Sequence, residues 1–283
     1  TEPSMVMALL RSRMLPHLGL LLGCMVLAPV AANTILDDTG RSLPQYPIAQ
    51  RVVTLSPHAT ELLLAAGGQA LLVGAARYSV KLPTHIPVIS TLGGVDREQL
   101  LQLQPDLVIA WASGNRASDL FWLQQQGIRV FRSEPQNLPQ IATSIRSIGQ
   151  LIGHTQQASQ AADSFLYALQ QACPTTAKRA VYVSVWDKPA MSIGGRHWLN
   201  DVLHHAGLHN TYQALTQGIF SVEAESLASQ QDLPSIKLDS LPDHQLSRPG
   251  PQLLDAVRNL CHWSKQATGT RLPKHNDVVR HDP

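Results

Sequence analysis

Three cysteines in 283 residues are too few for a disulfide-dense scaffold or a four-cysteine zinc cluster. Charge of one sign is missing as well. Lys plus Arg number 22 and Asp plus Glu 20, a formal net charge of +2, where a nucleic-acid binder normally carries a clearly basic domain. Charged residues make up only 15 % of the chain against 44 % hydrophobic, which excludes a disordered polymer. Aromatic residues are scarce at 5 %, so the position of each one is informative. Several catalytic signatures are missing: no Gly-x-Ser-x-Gly elbow, no phosphate loop ending in Gly-Lys-Ser/Thr, no His-Glu-x-x-His and no Gly-x-Gly-x-x-Gly after the first strand. The reading is therefore of a non-enzymatic protein without a cofactor.

What is present begins with a processing signal. Arg11 and Arg13 precede an interrupted apolar stretch, Met14 to Leu27, closed by Ala28-Pro29-Val30-Ala31-Ala32. Basic, apolar and small-residue regions in that order read as a secretory signal over 1–32, which implies export to the periplasm. Leu21-Leu22-Gly23-Cys24 also looks like a lipoprotein box, the less favoured alternative. Residues 33–50 read as a leader. Of the two remaining cysteines, Cys173 and Cys261, two readings stand: one disulfide, or two inert buried thiols.

From residue 51 strands and helices alternate. Arg51–Leu55 is a β-branched apolar run, followed at once by Ser56-Pro57, a helix cap and a first-turn proline. Thr60–Ala66 continues as helix and Gly67-Gly68 stops it. Strands are predicted at Leu71–Gly74, Val88–Ser90, Asp106–Ala110 and Ile128–Phe131. Helices are predicted at Asp96–Leu103 and Leu120–Gln126. Ile141, Ile145, Ile148 and Ile152 recur at helical spacing up to Gly153. Ala158, Ala162, Phe165 and Leu169 repeat it over a second helix, 155–172. Alternation resumes with a strand at Val181–Val185, helices at His197–His205 and Ser221–Ala228, and a closing helix from Pro251 to about Gln266. Residues 267–283 read as a disordered tail. The order implies an α/β protein of two mainly parallel lobes, 51–153 and 174–266, joined by one long helix with a ligand cleft between them.

Ligands of parallel α/β sheets bind beyond the carboxyl ends of the strands. Tyr78 follows the second strand, Trp111 ends the fourth, Trp186 ends the first strand of the second lobe, and Phe220 lies in the loop before the Ser221 helix. Flat rings at the mouths of two facing lobes suit a bulky, partly apolar ligand; the alternative is ordinary rim packing. His197, Asp201, His204 and His205 share helical spacing, which reads first as a solvated polar face, with a metal-ion receptor as the alternative; no metal site is assigned. Glu98 and Glu223, with Glu225 beside it, stand in or near first helical turns. They serve either the helix ends or a partner with basic sockets.

Several segments resemble the periplasmic cobalamin-binding proteins of bacterial ABC importers, within a wider family that also binds haem and ferric siderophores. These are Val53-Thr54-Leu55-Ser56-Pro57-His58-Ala59-Thr60-Glu61-Leu62-Leu63 and Pro105-Asp106-Leu107-Val108-Ile109-Ala110-Trp111 in the first half. In the second they are Trp186-Asp187-Lys188-Pro189, Gly194-Gly195-Arg196-His197 and Arg248-Pro249-Gly250-Pro251. The likeness runs from about Arg51 to Lys265. It implies a monomeric receptor that clamps cobalamin between two lobes and delivers it to an inner-membrane ABC permease. Tyr78 and Trp111 match ligand-contacting aromatics of the family, and Asp243 matches an acidic residue before the last helix. Leu92 replaces a further family tryptophan. Glu98 matches one permease-docking glutamate and Glu223 (or Glu225) the second. Were the ligand haem, Tyr78 or His58 would be the axial ligand. Cys261 matches a last-helix cysteine of the family, whose usual partner position holds Ala206. Between Ser229 and Leu233 a strand–helix unit of the family is missing, which implies a shortened second lobe.

Overall fold

The computed structural model describes residues 34–77, 82–174 and 178–266, apart from the side chains of Pro242, Asp243 and Gln266. The signal-like segment, the 267–283 tail and Tyr78 lie outside the described residues. No helix among the described residues is long and apolar enough to cross a membrane.

Residues 34–44, read from sequence only as a leader, form an antiparallel hairpin of β1 (Thr34–Leu36) and β2 (Ser42–Pro44). Its Ile35 and Leu43 are buried. Asp38 ties it down, accepting hydrogen bonds from Ser144 Oγ and the Glu134 N–H, both at 2.8 Å.

The first lobe follows the predicted alternation: β3 (Val52–Thr54), α1 (Pro57–Ala65), β4 (Leu72–Ala76), β5 (Val88–Ile89), α2 (Arg97–Leu103), β6 (Leu107–Trp111), α3 (Ala117–Gln125) and β7 (Arg129–Ser133). The strands form a parallel sheet in the order β5-β4-β3-β6-β7. Side chains alternate across a pleated strand, and the two cores follow from that. Leu107, Ile109 and Phe131 join one cluster, Val108, Ala110 and Val130 the other. Both faces are thus covered, as near-continuous apolar strands require. Helix α1 starts where the sequence says: Ser56 Oγ accepts from the Ala59 N–H, Pro57 sits in the first turn, and Gly67 at φ +84° ends the run.

Two helices then cross the molecule, α4 (Leu138–Leu151) and α5 (Thr155–Ala172). Ile141, Ile145 and Ile148 of α4 and Ala158, Ala162, Phe165 and Leu169 of α5 are all buried. The helices pack so closely that a Cβ on Gly149 would collide with that of Ala158. Helix α5 also packs on elements of the second lobe, including its last helix, α8 (Leu253–Gln266).

The second lobe is built on β8 (Arg179–Ser184), which pairs in parallel with β11 (Leu208–Asn210) and β13 (Ser235–Lys237). It departs from the mainly parallel expectation through an antiparallel sheet of β9 (Trp186–Asp187), β10 (Ala190–Ile193) and β12 (Ile219–Ser221). Ser192 Oγ donates to the Val183 carbonyl at 2.7 Å and Asn210 Nδ2 to the Ile193 carbonyl at 2.7 Å, stapling the two sheets together. Helices α6 (Leu199–His205) and α7 (Ala224–Ala228) are shorter than expected. The helix expected from Ser221 begins only at Ala224, because β pairing with Ile193, Ser192 and Met191 claims residues 219–221.

Cys173, just past α5, and Cys261 in α8 form a disulfide with Cα atoms 5.7 Å apart. The bridge closes a loop spanning 88 residues and so binds the crossing helix to the last one. Constraining a loop of that size in the unfolded chain stabilises by about 4.5 kcal/mol in the chain-entropy account. Replacing both cysteines with serine is expected to lower the urea midpoint accordingly, with the fold retained by circular dichroism.

Candidate functional site

Trp111 is the residue at which β6 leaves the core. Leu107 to Ala110 are buried, and the ring of Trp111 is 37 % exposed. Everything around it fixes its orientation. Its Nε1–H donates to Glu134 Oε1 at 3.4 Å, and the other Glu134 oxygen accepts from the Ser113 N–H at 2.8 Å. Its own N–H donates to Asn115 Oδ1 at 2.7 Å, while Asn115 Nδ2 donates to the Leu55 carbonyl at 3.1 Å. The ring lies over Gly114 so closely that a Cβ there would overlap it. Its edge meets His58 at 5.6 Å between centroids, with the rings perpendicular. An indole held on several sides loses little freedom when a ligand stacks on it.

His58 sits at the start of α1, fully buried. Its Nδ1 pairs with Ser56 Oγ at 3.1 Å, and its Nε2 has no hydrogen-bond partner. Burial, with the nearby Arg248 guanidinium as a second cause, pushes its pKa down to about 4. Beside it, Glu61 of α1 forms an ion pair with Arg248, which precedes α8 and is distant in sequence, at 2.7 Å. Burial pushes the Glu61 carboxyl above its usual range, and the Arg248 hydrogen bond and charge offset that only in part. Gly250 completes the seam, because a Cβ there would run into Glu61 and Gln252. A second tie between the halves runs from the Leu138 N–H to Asp201 Oδ2 at 2.8 Å.

Across the seam, Trp186 is 62 % exposed, its Nε1–H donating to the Lys188 carbonyl at 2.9 Å. It borders a pocket of about 710 Å³ that His244 and Ser247 also line. The turn carrying Asp243 therefore flanks Trp186, although the Asp243 side chain is outside the described residues. Arg248 follows Ser247 directly, so the segment that lines the Trp186 pocket runs on into the ion pair with Glu61. Phe220 sits on β12, not in a loop. It is part-buried against Tyr212 at 5.2 Å, which meets Tyr182 at 6.2 Å. That row of rings gives Phe220 a packing role, so it is a less open platform than the tryptophans.

Glu98 lies in the first turn of α2 and is exposed. Glu223 is the N-cap of α7, and Glu225 lies in its first turn; both are exposed. The histidine group does not converge. His197 precedes α6, where its Nδ1 accepts from the Leu199 N–H at 3.2 Å, while His205 pairs with Asp201 at 3.4 Å. No group of three or more potential ligands able to hold a metal exists among the described residues.

Sequence reasoning missed Glu134 and Asn115, which orient Trp111, and assigned no role to Glu61 and Arg248. Both of the latter lie inside motifs quoted above, and that was the available signal.

The buried histidine makes stability depend on pH. An unfolded histidine binds its proton near pH 6.5, whereas folded His58 resists it until about pH 4. Between those values the unfolded chain binds more protons, so stability is complete above about pH 6.5 and falls as pH drops. His197, also pushed down to about 4 by burial, acts in the same direction. From pH 7 to pH 5 each should remove about 2 kcal/mol. His58→Gln should flatten the loss, read as urea midpoints at the two pH values.

Comparison with known proteins places the geometry in context. A family model described as periplasmic binding protein matches residues 52–259. The vitamin B12-binding protein of Vibrio parahaemolyticus is 28 % identical over 242 residues, which span 75 % of this chain and 88 % of that protein. The vitamin B12-binding protein of Vibrio cholerae is 28 % identical over 274 residues, spanning 86 % and 99 %. Among solved structures, the periplasmic vitamin B12 binding protein BtuF of Vibrio cholerae superposes with a TM-score of 0.67 at 25 % identity, covering 77 % of this chain and 97 % of that one. The periplasmic heme binding protein HutB of Vibrio cholerae superposes with a TM-score of 0.62 at 20 % identity, covering 76 % and 98 %, a likeness of fold alone. The family match takes in both parallel sheets and the crossing helices, and this chain belongs to the periplasmic binding protein family.

Proposed function

We propose that this chain is a non-catalytic, exported receptor that binds cobalamin in the periplasm and hands it to an inner-membrane ABC permease. The observation that carries the reading is the Trp111 platform. An indole is held rigid by Glu134, Asn115, Gly114 and His58 at the end of a parallel strand, and a second exposed indole, Trp186, follows the central parallel strand of the other lobe. A corrin is a wide, partly apolar ring system, and two exposed indoles offer the stacking area such a ligand needs. The vitamin B12-binding relatives support the same ligand. Haem fits the pattern less well. His58 Nε2, one of the two axial donors it would use beside Tyr78, is buried within the protein. Residues 1–32 have the form of an export signal, and the receptor acts as a monomer.

Titration of the protein without its signal segment with cyanocobalamin, followed by calorimetry, tests the reading; hemin in a parallel titration tests the rival. Trp111→Ala should weaken cobalamin binding by about thirtyfold or more, the effect of losing a central aromatic anchor. Unchanged affinity would remove Trp111 from the site.

The exposed Glu98 and Glu223 stand at helix starts in different lobes, where each can meet a basic socket of the permease. Glu98→Ala combined with Glu223→Ala should leave cobalamin binding intact and abolish uptake by cells that depend on this receptor. Normal uptake by the double variant would exclude these glutamates from docking.

A further inference from the structure

Alternation along the second-lobe sheet separates two very different faces. Val181, Val183 and Ile236 are fully buried in the core with the helices. On the opposite face Tyr182 stands beside Ser235 and Ser184 beside Lys237, in register across β8 and β13. In the first lobe both sheet faces are packed beneath helices. Here the chain leaves the five-residue helix α7 and turns through 229–233 directly into β13. The polar face is left as the floor of a pocket of about 730 Å³. Leu227, Gln230 and Gln231 form its wall. It shares Ser184, Trp186, Asp187 and Lys237 with the pocket that His244 and Ser247 line, so the two spaces meet at Trp186.

The chemistry of this chamber is specific. An exposed indole stands at its mouth. Its floor carries the hydroxyls of Ser184 and Ser235, and its wall the amides of Gln230 and Gln231; the Gln230 Oε1 is buried without a hydrogen-bond partner. Its one ammonium, Lys237, donates to Asp187 Oδ2, and Asp187 Oδ1 accepts from Ser184 Oγ at 3.0 Å. An ammonium has three N–H donors, so Lys237 keeps capacity for a further acceptor. The Asp187 carboxylate lines the chamber too, but both its oxygens already accept hydrogen bonds. A flat ring, a set of hydroxyl partners and an ammonium that is paired with one carboxylate but retains free N–H donors together describe a site for a flat base, a sugar and one phosphodiester.

We propose that this chamber is a second compartment of the ligand site and receives the nucleotide arm of a corrinoid, with the base near Trp186, the ribose among Ser235, Gln230 and Gln231, and the phosphodiester at Lys237. The assignment rests on the corrinoid-receptor reading above. It adds a preference within that ligand class: corrinoids that carry the arm bind more tightly than those that lack it.

The test compares cyanocobalamin with cobinamide, the same corrin without its nucleotide arm, by calorimetry on the wild type, Gln231→Trp and Lys237→Met. The wild type should bind cyanocobalamin about tenfold or more tightly than cobinamide, the contribution of one or two hydrogen bonds to a charged group. Gln231→Trp fills the chamber from an exposed position. It should abolish most of that difference while leaving cobinamide affinity unchanged. Lys237→Met should weaken cyanocobalamin more than cobinamide. Equal affinity of the wild type for the two ligands, or a difference that survives in both variants, overturns the chamber and leaves the receptor reading standing. Failure to bind either corrinoid overturns the receptor reading and the chamber with it.

Discussion

A buried ion pair sets the geometry on which the rest of the site depends. Glu61 is on the first helix and Arg248 lies just before the last, and their charges meet at 2.7 Å where the two halves of the molecule touch. Desolvation offsets much of the attraction in such a pair, so its contribution to net stability is modest. Its larger effect is on alignment. A carboxylate and a guanidinium removed from water tolerate little displacement, because any slip leaves a buried charge without its partner. Gly250 sharpens the constraint by letting the backbone approach Glu61 more closely than a side chain would allow. With the Leu138–Asp201 hydrogen bond the lobes are joined at two separate points, and the disulfide fixes α5 to the last helix.

That alignment gives the aromatic residues their meaning. Trp111 is oriented by groups of its own lobe, and the edge of His58 connects it to the ion-pair seam. Trp186 is placed by a short hairpin of the other lobe beside a pocket that reaches the residue preceding Arg248. A ligand stacked on both would meet surfaces that are already ordered, so little conformational entropy would be lost on binding. His58 fits the same logic. Burial keeps it neutral, which adds no charge beneath an apolar platform and spares Arg248 a cationic neighbour.

The second lobe shows how a shortened connection is absorbed. β13 pairs directly with β8, so its backbone groups find partners on that side although only a short turn precedes it. The same economy leaves one sheet face without a long helix over it. Tyr182, Ser184, Ser235 and Lys237 on that face are amphipathic or polar, which keeps the opening from becoming an exposed apolar surface. A lobe of this size remains ordered because β10 and β12 are stapled onto it through Ser192 and Asn210.

The sequence by itself determined the local elements and the place of Trp111 at the end of a buried strand. Helical spacing in Ile141–Ile148 and Ala158–Leu169, the Ser56-Pro57 start and the apolar run 107–110 all reflect short-range rules, and the structure obeys them within a few residues. Trp111 was visible because it ends such a run. Tertiary structure alone decided the remainder: that Glu134 turns the indole, that Arg248 finds Glu61, that Cys173 meets Cys261, that residues 34–44 complete the core and that 219–221 pair as a strand. Each of these joins segments distant along the chain, and side-chain periodicity carries no record of which remote partner will complete a hydrogen bond, an ion pair or a sheet. Only the folded packing brings such groups within reach, because burial penalises every polar group that fails to find a partner.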